Sequence, residues 1–216
     1  MRRARAVMGR RRSGGGFTLI ELLMGIILAS VFAIALFGFF FAGADSARTH
    51  ESQARAQGDG RTAIDRFARE ARQAISPDDG LTSPVISLSP TVVEMYVDPL
   101  RTTAAMVPRP EKVRYSIVSG QLIREAAAPV GATFPFTYGS YTRREVLIAS
   151  VGNTTAAPAF RAFTRTGLAL AATPPSNQMR NIAQISVRFL VSQRTGNAAT
   201  TLELSTDVAL RNAVRF

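Results

Sequence analysis

The first pattern along the chain is a run with no polar rhythm at all. Across residues 22–44 no side chain is charged, and Ser30 is the one hydroxyl. At 1.5 Å per residue this is roughly 35 Å of helix, enough to span the hydrocarbon core of a bilayer. A helix that is apolar on every side over that length is not the surface helix of a small soluble domain. Gly25, Gly38 and Gly43 lie within it, and such glycines permit close helix packing. Further on the rhythm becomes helical: Ile64, Phe67, Ala68, Ala71 and Ile75 recur on one face. Asp65 with Arg69, and Arg66 with Glu70, stand four apart on the polar side. The pattern predicts one long helix with an apolar first half and an amphipathic second half. It is expected to bend or weaken at Gly58-Asp59-Gly60 and to end at Ser76-Pro77, with "SPDDG" as a turn.

From Leu81 onward the period shortens to two. "TVVEMYVD" (91–98) is rich in β-branched residues, and "KVRYSIVSGQLIREA" alternates, turns at Ser119-Gly120 and resumes. "REVLIASV" (144–151) and "AFRAFTRTG" (159–167) come next, separated by the loop "GNTTAAP". "TPPSN" (173–177) is a second loop, since proline cannot serve a central strand. The last pair, "IAQISVRFLVSQ" and "TTLELSTDVALRN", flanks "RTGNAA" as a hairpin would. One long helix and then about six strands predict an α+β fold with an antiparallel sheet.

Charge changes the picture at the N-terminus. The net charge of +11 suggests a nucleic-acid binder. Six of the 26 basic residues, however, are Arg2, Arg3, Arg5, Arg10, Arg11 and Arg12, which leaves 20 bases against 15 acids in the remainder. A basic block ahead of an apolar run is a topogenic signal: it stays in the cytoplasm while the chain beyond the run crosses. Two processing routes fit. Ordinary secretion would cut after Ala42-Gly43-Ala44, releasing a chain that begins at Asp45, but the apolar run is long for that purpose and Glu21 intrudes at its start. A cut between Gly16 and Phe17 would keep the helix.

Glu21 requires a reason, because an isolated carboxylate in lipid costs about 2.5–3.5 kcal/mol on insertion scales. The stretch "GGGFTLIELLMGIILAS" that carries it resembles the processing signal of type IV prepilins and type II secretion pseudopilins. The resemblance implies removal of a basic leader (1–16) after Gly16 by prepilin peptidase. It also implies N-methylation of Phe17 by the same enzyme, and pairing of Glu21 with the N-terminal ammonium of a neighbouring subunit as helices bundle into a filament. Residues 17–44 would then be the transmembrane half of the helix, 45–76 its amphipathic half and 77–216 a β-rich domain outside the cytoplasm. The hairpin from Val113 to Arg124 and the strand ending in "LRN" (210–212) resemble J-type minor pseudopilins and W-type minor pilins. Without cysteine the chain lacks the C-terminal disulfide loop of many members.

Candidate chemistry is sparse. No catalytic constellation, metal site or cofactor motif is expected. His50 reads as an exposed helix residue, Asp78-Asp79 as turn formers, and Asn153-Thr154-Thr155 as a chance glycosylation sequon. The sole lysine, Lys112, falls in a predicted strand, with no phosphate-binding loop beside it. Arg55, Arg61, Arg66, Arg69 and Arg72 alternate with acids and read as a solvated face. Two functions are compatible with this: a structural filament subunit whose partners are other pilins, or a binding module displayed on the same anchor. Arg143, Arg144, Arg161 and Arg165, if clustered on one face, would favour the second, with DNA as a ligand.

Overall fold

The computed structural model of the protein describes residues 17–78, 82–98, 109–131, 136–195 and 198–210. It divides into two compact units, Met1–Arg48 and Thr49–Phe216. The helix α1 (Leu19–Arg72) supplies residues to both. The leader and Gly16, Asp79 of the predicted turn, Leu81 at the predicted start of the β region, and Arg211-Asn212 of the "LRN" strand end lie outside the described residues.

In the first unit α1 is long and apolar enough to cross a membrane. Its large side chains are turned outward, with Phe32, Ile34 and Phe39 all more than two-thirds exposed, as a lipid-facing helix requires. The helix continues unbroken through Ala42, Gly43 and Ala44.

In the second unit α1 packs on antiparallel β-structure. The strands are β1 (Val85–Leu88), β2 (Val92–Val97), β3 (Glu111–Val118), β4 (Gln121–Ala127), β5 (Pro129–Val130), β6 (Thr137–Tyr138), β7 (Arg143–Ile148), β8 (Phe160–Phe163), β9 (Gln184–Thr195) and β10 (Ala198–Ala209). They form a five-stranded sheet ordered β1-β2-β3-β4-β7, a three-stranded sheet ordered β10-β9-β8, and the short pair β5-β6. The larger two are joined at two places: the Ala159 and Phe160 N–H groups donate to Pro90 O, at 2.7 and 3.3 Å, and just past β7 the Gly152 N–H donates to Leu190 O (2.7 Å) while Ser192 N–H donates to Ser150 O (3.0 Å). β7 and β10 are each an end strand of their sheet. This is the expected α+β layout, an N-terminal apolar helix followed by an antiparallel sheet domain in the manner of pilins.

The core is set by the two periodicities. Ala63, Phe67, Ala68 and Ala71 are buried on α1, as the helical stripe predicts. Val93, Met95 and Val97 alternate inward on β2, and Val113 and Tyr115 on β3. Aromatic rings join the elements: Phe67 meets Tyr115 at 5.1 Å and Phe160 at 5.6 Å, and Phe160 meets Phe189 at 6.0 Å. The β3–β4 turn has positive φ at both Ser119 (51°) and Gly120 (72°), the geometry that matches strand twist in a two-residue hairpin.

Three expectations are corrected. Gly58-Asp59-Gly60 does not interrupt the helix. Gly60 is buried, and a Cβ there would lie 2.2 Å from Leu204 Cδ1, so this glycine lets β10 approach the helix closely. The helix also ends at Arg72 rather than at Ser76-Pro77, because the chain is captured by the sheet: Ile75 N–H donates to Tyr96 O (3.0 Å) and Asp98 N–H to Gln73 O (3.2 Å). Finally, "AFRAFTRTG" supports only the four residues of β8 before turning at 164–167, where Gly167 N–H donates back to Thr164 O. β1, which sequence reading passed over, pairs with β2 as the end strand of the five-stranded sheet.

Candidate functional site

Two residues of the expected processing signal, Phe17 and Glu21, stand at the start of α1. Thr18 precedes the first helical residue, and its Oγ1 accepts the Glu21 backbone N–H (3.3 Å) while its carbonyl accepts from Glu21 and Leu22 (both 3.1 Å). Thr18 is thus the N-cap, and Thr-Leu-Ile-Glu has the Thr-x-x-Glu spacing of a capping box. Sequence reading missed Thr18, although this spacing was there to be read. Phe17 (82% exposed) and Glu21 are both turned outward, so the ring and the carboxylate are presented to neighbours rather than to the chain's own core. Among the described residues no cation pairs with Glu21. A carboxylate in the first helical turn is favoured by the helix dipole, and in an apolar setting it would gain further from a cation brought by another chain.

A second polar constellation was not foreseen. Glu70, read as part of a solvated i,i+4 pair with Arg66, is instead nearly enclosed between α1 and the sheet. Arg124 Nε donates to both Glu70 oxygens (3.0 Å each), and Arg124 Nη2 lies 2.9 Å from Oε1. Tyr115 OH donates to Oε2 (2.8 Å). Arg66 lies 3.5 Å away and extends to Glu145 on β7 (2.6 Å). Burial, with the Glu70 charge beside it, pushes the Tyr115 hydroxyl well above its ordinary range. Burial alone would lower the Arg124 pKa, but its hydrogen bonds to Glu70 outweigh that and raise it. These groups are hydrogen-bonded to one another, so the network ties helix to sheet.

On the far side of the sheet a cross-strand row alternates in sign: Glu94, Arg114, Glu125 and Arg144 face one another in register across β2, β3, β4 and β7. Arg114 grips Glu125 through Nε (2.9 Å) and Nη2 (2.6 Å). Lys112 lies 3.2 Å from Glu94, and Tyr141 covers both bases, its ring 4.9 Å from Lys112 and 4.3 Å from Arg114. Tyr141 OH donates to Glu94. Burial pushes the Glu94 carboxyl up, but bonds from Tyr141 and Lys112 outweigh this and hold it below the usual range.

The four arginines proposed as a nucleic-acid patch are not brought together. Arg143 and Arg144 lie on β7, an end strand of the five-stranded sheet, whereas Arg161 is on β8 of the three-stranded sheet and Arg165 in the turn after it; β8 touches β1, at the opposite end of the five-stranded sheet from β7. Four strand spacings from β1 to β7 amount to roughly 19 Å. Arg143 is moreover engaged by Glu111.

The remaining candidates fall into structural roles. His50 is exposed on α1. Asp78 accepts from Ser76 Oγ (2.7 Å) and from Thr82 N–H (2.5 Å), which is turn geometry. Asn153 is buried: its Nδ2 donates to Ala157 O (3.1 Å) and Arg188 O (2.9 Å), and its Oδ1 accepts from Leu190 N–H (2.8 Å). A glycan on that nitrogen would replace one of the two hydrogens that make these donations. Compared with known proteins, the chain matches no family model and no curated protein.

Proposed function

We propose that the chain is a minor pilin or pseudopilin, a structural subunit of a type IV pilus or a type II secretion pseudopilus. Prepilin peptidase would remove residues 1–16 after Gly16 and methylate Phe17. The subunit would then be held in the inner membrane by α1, with its sheet domain outside the cytoplasm, until it joins other pilins. The observation that carries this reading is the start of α1: a capped helix that turns Phe17 and Glu21, which has no ion pair among the described residues, outward at the head of a lipid-compatible segment. Pairing Glu21 with a neighbour's N-terminal ammonium would relieve a desolvated charge, so correct register would become a condition of assembly. The unbroken helix through Ala42-Gly43-Ala44 supports retention of the anchor rather than a cut before Asp45. Dispersal of Arg143, Arg144, Arg161 and Arg165 removes the feature that would have favoured a DNA-binding module.

The test is mass spectrometry of the mature N-terminus from native membranes. N-methylated Phe17 is expected; a peptide beginning at Asp45 would overturn the proposal. Glu21→Ala is expected to leave the chain processed and membrane-bound but absent from sheared filaments.

A further inference from the structure

Two of the end strands, β7 of the five-stranded sheet and β10 of the three-stranded sheet, carry opposite charge. β7 begins Arg143-Arg144, whereas β10, a strand of 12 residues, contains Glu203 and Asp207 and no base. Arg143 is engaged by Glu111, Glu145 by Arg66 and Glu203 by Arg188. Arg144 and Asp207 are exposed and have no ion pair among the described residues. Arg144 is also the open end of the alternating row, since its cross-strand neighbour Glu125 is already held by Arg114.

We propose that β7 of one copy pairs with β10 of a second copy, head to tail, with Arg144 opposite Asp207. Direction and facing both permit it. β10 runs with α1: Thr200 is opposite Gln193, whose amide donates to Ser52 O, while Leu204 meets Gly60 further along the helix. β7 runs against α1: Glu145 reaches Arg66, while Arg143, which comes first, lies level with Val113 and Met95 near the helix end. In copies whose helices run the same way, as the subunit reading requires, β7 and β10 are therefore antiparallel. With Arg144 opposite Asp207, Val146 falls opposite Ser205 on the face away from the helix. Glu145 then falls opposite Thr206 on the helix side. No like charges meet, and each helix stays on the same side of the continued sheet.

Symmetric pairing is disfavoured. Two β7 strands that keep their helix faces together place Arg144 against Arg144 or Glu145 against Glu145 in the registers centred on those residues, and any such two-fold reverses one helix. Read only as protection against aggregation, the β7 charges and its register shift near Leu147 would give Arg144 no preference for Asp207.

The chain has no cysteine, so an introduced pair reports alone. Full-length Val146→Cys/Ser205→Cys in its membrane should, on oxidation, give a ladder of dimers, trimers and longer species, and each single variant should stay monomeric. Adding Arg144→Glu should cut the ladder about fivefold, as replacing an attractive by a repulsive cross-strand pair implies. Adding Asp207→Arg to that variant should restore it, which excludes misfolding as the cause of the loss. No ladder, a ladder indifferent to these reversals, or dimers from one single-cysteine variant would overturn the proposal. Mass spectrometry of the same sample separates this inference from the subunit reading on which it rests. Absence of a ladder among chains beginning at Phe17 overturns the edge contact alone, whereas chains beginning at Asp45 overturn the subunit reading and leave the ladder to judge the contact.

Discussion

Removing the Glu70 carboxylate should cost the second unit a large part of its stability. Arg124 has a side chain only 9% exposed, and Glu70 supplies its counter-charge from three contacts at 2.9–3.0 Å. Glu70→Ala leaves that guanidinium buried without a counter-ion and strips the Tyr115 hydroxyl of its acceptor. Breaking a buried pair from one side costs about 3–5 kcal/mol. For a unit of this size each kcal/mol moves the Tm by about 2–4 °C, so a fall of roughly 12 °C is expected. Arg124→Met should cost a similar amount, because it leaves the carboxylate stranded. The double variant Glu70→Leu/Arg124→Met should recover most of the loss, since a buried pair replaced by apolar groups of similar volume is often close to neutral. The assay is thermal unfolding of the full-length chain in detergent, followed by near-ultraviolet circular dichroism. Single variants that each cost under about 1 kcal/mol, or a double variant whose loss is the sum of the two, would refute the reasoning.

The same geometry sets three further outcomes. Gly58→Ala, where a Cβ meets nothing within 4 Å, should stabilise the helix by up to about 1 kcal/mol, whereas Gly60→Val should destabilise by about 2 kcal/mol by driving Leu204 from its seat; paired melting curves check both. Asn153→Ala should cost about 2 kcal/mol, because it removes the acceptor of the Leu190 N–H and the side-chain donor to Arg188 O, whereas Ala157 O keeps the Thr154 N–H; intact mass of the native chain should show no glycan there. Stability should fall at both pH extremes in a titration of the melting temperature. Glu94 and Asp78 have lowered folded-state pKa values, so their contribution is present above the ordinary carboxylate range and lost as pH falls through it. Tyr138 is pushed up by burial from near 10 to about 12, so its contribution is complete below pH 10 and lost as pH rises towards 12.

What the sequence disclosed was whatever depends on near neighbours. The apolar run, the stripe of Phe67, Ala68 and Ala71, and the Ser119-Gly120 turn are each set by local spacing, and each is found where the pattern puts it. What it withheld depends on residues far away in the chain. Arg66-Glu70 has the spacing of a solvent-exposed pair, and only Arg124, 54 positions on, turns Glu70 into a buried anchor. Gly60 has the signature of a weak point until Leu204 is seen against it. The helix ends early because Tyr96 and Asp98 capture the backbone ahead of Pro77, a competition invisible to a local rule. At the start of α1 the cap at Thr18 was legible to a reader of capping boxes.

That cap bears on the order of events in the membrane. The groups that start the helix, the Thr18 hydroxyl and carbonyl and the N–H groups of Glu21 and Leu22, all belong to residues after Phe17. A cut ahead of Phe17 leaves every one of them on the retained side. Trimming would therefore change the charge at the helix entrance without redrawing the helix, so that the new ammonium is delivered onto a frame that is already built.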